Sequence, residues 1–124
     1  MQKLIICKEI IDKATYSDKE LHTLRKTIKD AINILNIARD ELKILLRFSC
    51  WNKMEIEKAA DLSHILGLFN DASVSLSFIK PAEIKKSDAG EKDFLLLVRK
   101  KWLAEKLKLK KEILNKIPTI KWDF

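Results

Sequence analysis

The stretch that decides the fold is SDKELHTLRKTIKDAINILNIARDELKILL, residues 17–46. It opens with a capping box, in which the Ser17 hydroxyl accepts from the Glu20 amide and the Glu20 carboxylate reaches back to the Ser17 amide. Tyr16 and Leu21 occupy the two positions of a hydrophobic staple. Apolar residues then recur at spacings of three and four, at Leu21, Leu24, Ile28, Ala31, Leu35, Ala38, Leu42 and Leu45. The pattern predicts a long helix with an apolar side wide enough to contact more than one neighbour.

A second start signal follows at WNKME, residues 51–55. Asn52 is the expected N-cap, Glu55 stands three residues later, and Trp51 can pack on Ile56. The helix is expected to end before Pro81, because proline restricts the residue that precedes it. Within it, SVSLSF (residues 73–78) also alternates as a strand would. We expect helix, since no hairpin partner is near and the helical apolar spacing continues through this segment.

A third start signal is Asp88 followed by Glu91, after an expected loop at residues 81–90. It predicts a helix over residues 89–116 that Pro118 ends. The apolar arc expected to face the core comprises Leu95, Val98, Trp102, Leu103, Leu107, Leu109, Ile113 and Leu114. A shorter first helix is expected over residues 2–14.

Length and composition agree with a helical protein. The chain has 124 residues, which is typical of one domain, and 47% of them are apolar. It contains only two Gly and two Pro, and strand-rich folds need more turn residues than that. We therefore predict an all-α fold, a helical bundle of three long helices plus a short N-terminal helix. Residues 1–124 form the single domain, with 117–124 as a C-terminal tail.

The expected location is the cytoplasm. The N-terminal sequence MQKLIICKEIIDK lacks the long apolar run of a secretory signal. The longest apolar run, FLLLV at residues 94–98, is too short to span a membrane, so no membrane partner is expected. Cys7 and Cys50 show no paired spacing and are interpreted as free, buried thiols.

The sequence lacks the motifs of the common kinds of active site. Gly67 and Gly90 stand alone, so no phosphate-binding glycine loop is present. His22 and His64 each have an aspartate one turn away, but nothing completes a set of metal ligands. We expect a protein that is not an enzyme and that uses no cofactor and no metal.

The excess of positive charge is confined to the C-terminal quarter. Residues 92–124 carry ten Lys or Arg and four Asp or Glu, a net charge of +6, while residues 1–91 carry fifteen and fourteen, a net charge of +1. At about 100° per residue, four lysines fall within about 100° of one another on the last helix. This lysine stripe consists of Lys100, Lys101, Lys108 and Lys111, and Arg99 flanks it.

Three interpretations of the lysine stripe remain open. Together with Arg99, it could bind the backbone of DNA or RNA without sequence specificity, since no Arg, Asn or Gln cluster is placed to contact base edges. It could bind an acidic protein, while a membrane surface is disfavoured because Trp102 is expected to face the core. It could also be an ordinary solvated helix face, because lysine favours helices and solubility.

The tail TIKWDF, residues 119–124, alternates polar and apolar side chains. In an extended chain Ile120, Trp122 and Phe124 share one side. They could dock into a partner protein, or they could fold back and cover the end of the bundle.

Our functional expectation is a non-enzymatic accessory subunit that binds nucleic-acid backbone within a larger assembly. In size, helicity and charge the chain resembles small helical subunits that line the nucleic acid in such assemblies, including CRISPR effector complexes, but this resemblance transfers no residues. The alternative is a protein-interaction module without nucleic-acid binding. It would dock through its tail or form a homodimer through the wide apolar stripe of the helix that begins at Asp18.

Overall fold

The computed structural model of the chain describes residues 9–11, 15–41 and 53–120. Three long helices account for most of them: α1 (Asp18–Glu41), α2 (Lys53–Phe78) and α4 (Ala89–Lys116). A one-turn helix, α3 (Pro81–Ile84), lies between α2 and α4, and a 3-10 turn (Ile117–Thr119) follows α4. Residues 9–11 are helical, and the described ranges contain no strand. The all-α bundle predicted from the sequence is confirmed.

The predicted start signals mark the helix boundaries. The Glu20 amide donates to the Ser17 hydroxyl at 3.1 Å, and the Ser17 amide donates to the Glu20 carboxylate at 3.2 Å. The Asp88 carboxylate accepts from the Glu91 amide at 2.9 Å, and α4 covers the predicted range, 89–116. Helix α2 begins at Lys53, directly after the predicted cap Asn52, which itself lies outside the described residues, as does Trp51.

Residues 73–78 and 81–90 are two segments for which the sequence predicted a specific local structure. The alternating stretch at residues 73–78 is helical, as expected, and its neighbour Ala72 is buried. The expected loop at residues 81–90 is wrong in part, because α3 forms at its start. Proline fits the first helical turn since it has no amide to leave unpaired, and Ile84, at the end of that turn, is buried.

Helix α2 is the central element, and it packs against α1 on one side and α4 on the other. One core cluster joins buried residues of all three helices, among them Leu24 and Ile28 of α1, Leu62 and Phe69 of α2, and Ile113 of α4. By length and composition alone, the stretch Lys53–Ile84 could cross a membrane. Many of its apolar residues serve the central place of α2 in the bundle, where seven of its apolar side chains are buried.

Helices α2 and α4 form an antiparallel pair with a constant register. Near the middle, the Lys106 ammonium lies 5.4 Å from the centre of the Phe69 ring. Toward one end, Lys116 donates to the Asp61 carboxylate at 2.7 Å. Residue numbers at facing positions add to nearly the same value along the pair, so the two helices stay in register over this part of their length.

Removing the cap of α1 tests its start signal. We expect Ser17→Ala to lower the free energy of unfolding by about 1 kcal/mol, because the Glu20 amide then loses its acceptor. Chemical denaturation followed by circular dichroism measures the loss. The matched control is Ser87→Ala, since the Ser87 hydroxyl only donates to the Glu83 carbonyl outside a helix cap. Equal losses in both variants would contradict the capping role of Ser17.

Candidate partner-binding surface on the C-terminal helix

The inner side of α4 is defined by its contacts with the rest of the bundle. Leu109 and Ile113 are buried, and Trp102 is half-buried against the core. Lys106 donates to the Asp18 carboxylate at the start of α1 at 2.6 Å. Lys116 likewise donates to Asp61. Because both lysines point toward the bundle, the opposite side of α4 faces solvent.

The lysine stripe predicted from the sequence lies on this outward side. Lys100, Lys101, Lys108 and Lys111 are all exposed. None of the four makes an ion pair or a hydrogen bond with the part of the chain that the structure describes. Their ammonium groups are therefore available to bind an anionic partner.

Arg99 differs from the four lysines. Its guanidinium is half-buried and donates to the Ile79 carbonyl, just beyond the end of α2, at 3.1 Å. A cation at the carboxyl end of a helix is favoured by the helix dipole. Arg99 thus contributes to the α2–α4 packing, and it borders the lysine stripe without being part of the free surface.

A row of exposed leucines runs beside the lysine stripe. At about 100° per residue its four members lie within about 40° of one another, and they repeat at spacings of seven, four and seven. This leucine row consists of Leu96, Leu103, Leu107 and Leu114, which are 47%, 38%, 68% and 44% exposed. Lys100 and Lys111 border it on one side, and Lys92 and Lys110 border it on the other.

The leucine row corrects the sequence-based interpretation of α4. Leu103, Leu107 and Leu114 were predicted to face the core, and this prediction was wrong. Apolar residues surround more than half of this helix, but α2 covers only the arc around Leu109 and Ile113. The heptad-like spacing of seven, four and seven was the available signal for a second apolar side.

Of the three side chains predicted to dock into a partner, only Ile120 lies among the described residues. Ile120 is 4% exposed and belongs to the core cluster, so it is not presented to a partner. For this residue, burial favours the alternative, in which the tail folds back on the bundle. Trp122 and Phe124 lie outside the described residues, and their part in docking remains a prediction.

The polar residues considered for metal binding have other neighbours. Asp18 and Asp61, each one turn from a histidine, accept from Lys106 and Lys116. Over residues 9–11, 15–41 and 53–120, no group of three or more His, Cys, Asp and Glu is placed to hold a metal ion. Cys7 and Cys50 lie outside these ranges.

Comparisons with protein-family models, with curated proteins and with solved structures found no match for this chain. The fold and the surface therefore define only a class. It is a helical bundle whose last helix presents a leucine row between lysines on the side that no described element covers.

Proposed function

We propose that the protein is a non-enzymatic accessory subunit that binds an acidic helical segment of a partner protein through the outward side of α4. The observation that carries the proposal is the leucine row with unpaired lysines on both of its sides. Scattered exposed leucines are ordinary on protein surfaces, but these four follow one line over about 27 Å, at about 1.5 Å per residue. This geometry suits a helix laid alongside α4.

Burial of the leucine row would stabilise such a complex. Complete burial of a leucine side chain contributes about 1.5–3 kcal/mol, so the exposed half of each side chain corresponds to roughly 1 kcal/mol. Four such residues in a row give an apolar centre, and the lysines beside them form a charged rim. An interface of this kind has an apolar core and a polar rim.

The positive charge beside the leucine row decides which kind of partner helix fits there. A second copy of the chain, docked through the same row, would place Lys100 and Lys111 against the lysines of the other copy. Like charges facing each other across an interface disfavour association, whereas an acidic rim on the partner would complement these lysines. We therefore favour a partner helix with apolar residues in heptad spacing and Asp or Glu at its flanks.

Binding of nucleic-acid backbone remains the second candidate function, and one observation favours it. Lys100, Lys101, Lys108 and Lys111 are exposed along about 17 Å of α4, at about 1.5 Å per residue. Such a stripe attracts phosphates in a salt-dependent way. The adjoining leucine row has no role in that interaction, which is why we place it second.

One set of variants separates the two functions. The probes are a synthetic helix of about three heptads with Leu at the core positions and Glu at the flanks, the same peptide with Lys for Glu, and a short DNA duplex. We expect the acidic peptide to bind, and Leu96→Glu with Leu107→Glu to weaken it at least about thirtyfold, since about 2 kcal/mol of apolar burial is lost and tenfold in affinity is about 1.4 kcal/mol. Titration calorimetry measures the affinities.

Controls and contrary outcomes are built into the same titrations. Met54→Glu replaces an exposed apolar residue of α2, outside the leucine row, and should leave the affinity unchanged. DNA binding that Lys101→Glu with Lys108→Glu removes, and that the leucine changes leave intact, would establish the second candidate instead. A dimer by light scattering that the leucine changes dissociate would show that a second copy is the partner. Absence of binding by all three probes to a monomer would contradict both functions.

A further inference from the structure

A cleft of about 440 Å³ lies between α1 and α2, on a part of the molecule that the proposed function does not use. Its lining includes two apolar side chains, Ile32 from α1 and the exposed Leu68 from α2. Arg25 and Lys29 line it from one helix, and Ser63 and His64 line it from the other. The volume falls in the range of small-molecule sites, about 300–1,000 Å³.

The Arg25 guanidinium packs against Gly67 of α2. A Cβ atom built on Gly67 would lie 3.1 Å from the Arg25 Nε atom. Any residue larger than glycine at position 67 would therefore crowd the guanidinium. The Nε atom is buried and has no hydrogen-bond partner. Within the described ranges, nothing accepts a hydrogen bond from the rest of the Arg25 guanidinium either. Because the Nε atom is closed off from solvent, a molecule in the cleft would meet the other nitrogens of the guanidinium, which also lack an acceptor.

Ser63 is a second unpaired donor in the same cleft. Other hydroxyls inside these helices donate to a backbone carbonyl one turn earlier, as Thr27 does to Thr23 at 2.7 Å and Ser73 does to Phe69 at 3.0 Å. Ser63 is only 7% exposed, yet its hydroxyl makes no hydrogen bond to any part of the chain that the structure describes. It lines the cleft, so its hydroxyl is available to a molecule bound there.

We propose that this cleft binds the phosphate group of a small phosphate ester. Arg25 offers a planar pair of donors, Lys29 adds a second positive charge, and Ser63 adds a hydroxyl donor. Phosphate carries more acceptor oxygens than a carboxylate and is the better match for donors converging from two helices. The apolar side chains of Ile32 and Leu68 then contact the organic part of the ester.

Asp71 is the carboxylate that also lines the cleft, one turn beyond Gly67. It is exposed and forms no ion pair with Arg25 in the structure. If Asp71 is merely a neighbour, Asp71→Asn should strengthen phosphate binding by a few-fold, since a negative charge is removed. If instead Asp71 were the real partner of Arg25, the same change would lower stability and leave phosphate binding unaffected, and the proposal would be overturned.

The test uses the full chain with phenyl phosphate, inorganic phosphate and benzoate as probes, followed by two-dimensional NMR and calorimetry. We expect phenyl phosphate to shift the signals of Arg25 and Ser63 and to bind more tightly than inorganic phosphate. Arg25→Met should weaken binding at least about tenfold, and Ser63→Ala should weaken it a few-fold. The control is Lys26→Met, which removes an exposed cation from α1 outside the cleft and should change nothing.

Three outcomes would show that the cleft is not the binding site. These are no binding of any probe at 10 mM, equal effects of Arg25→Met and Lys26→Met, and phosphate-induced shifts at the α4 lysines in place of the cleft. Binding of benzoate as tight as that of phenyl phosphate would overturn the assignment to phosphate. The Ser63→Ala variant keeps the test decisive if Arg25→Met fails to fold.

Discussion

Replacing Phe69 by alanine is expected to lower the free energy of unfolding by about 3–5 kcal/mol. The Phe69 ring is 1% exposed in the middle of α2, the helix that packs against both α1 and α4. Its removal leaves a cavity at the centre of the core cluster and takes away the ring beneath the Lys106 ammonium. Domains of this size are stable by only about 5–15 kcal/mol, so the variant would lose a large share of the total.

The matched control for this change is Phe94→Ala. Phe94 is the same residue type but is 64% exposed on α4, so its truncation should alter stability by only about 0.5 kcal/mol. Guanidinium denaturation of both variants gives the two values. Losses of similar size would mean that the core is not centred on α2.

Replacing Ile120 by alanine is expected to lower the free energy of unfolding by about 2 kcal/mol or more, although the residue lies beyond the end of α4 and its 3-10 turn. Ile120 is part of the core cluster, and the Thr119 carbonyl just before it accepts from Lys58 at 3.4 Å. The control is Ile34→Ala, which shortens an exposed isoleucine on α1 and should be close to neutral. If Ile120→Ala proved as neutral as this control, the C-terminal residues would not be anchored to the bundle.

The anchoring of Ile120 changes how the docking tail has to be tested. Truncation after Ile117 would remove a core residue, so a loss of partner binding could reflect unfolding alone. The informative variant is Trp122→Ala with Phe124→Ala in the full chain, measured beside Ile120→Ala.

The helix boundaries were predictable because they depend on local chemistry. Ser17, Asp88 and Pro118 act on amides and carbonyls within a few residues of themselves, and sequence shows such neighbours directly. The one-turn helix α3 was not predicted. It depends on Ile84 reaching a buried position, which only the packing of the surrounding elements provides.

The surfaces were less predictable, because they depend on which side of each helix meets a neighbour. The lysine stripe followed from angular spacing alone. The leucine row did not, since α4 is apolar over most of its circumference and only its packing on α2 shows that Leu109 and Ile113 face the core. The cleft requires Arg25 to meet Gly67, and their sequence separation gives no signal of that contact.

The polar links that hold α4 also affect how it would meet a partner. Arg99, Lys106 and Lys116 attach this helix to the bundle at three points along its length, through Ile79, Asp18 and Asp61. Each link contributes little to stability, about 1 kcal/mol or less for the exposed ion pairs, but together they oppose any roll of the helix. For the proposed partner helix, the leucine side chains would thus be oriented before any encounter, and the entropy lost on association would fall mainly on that helix.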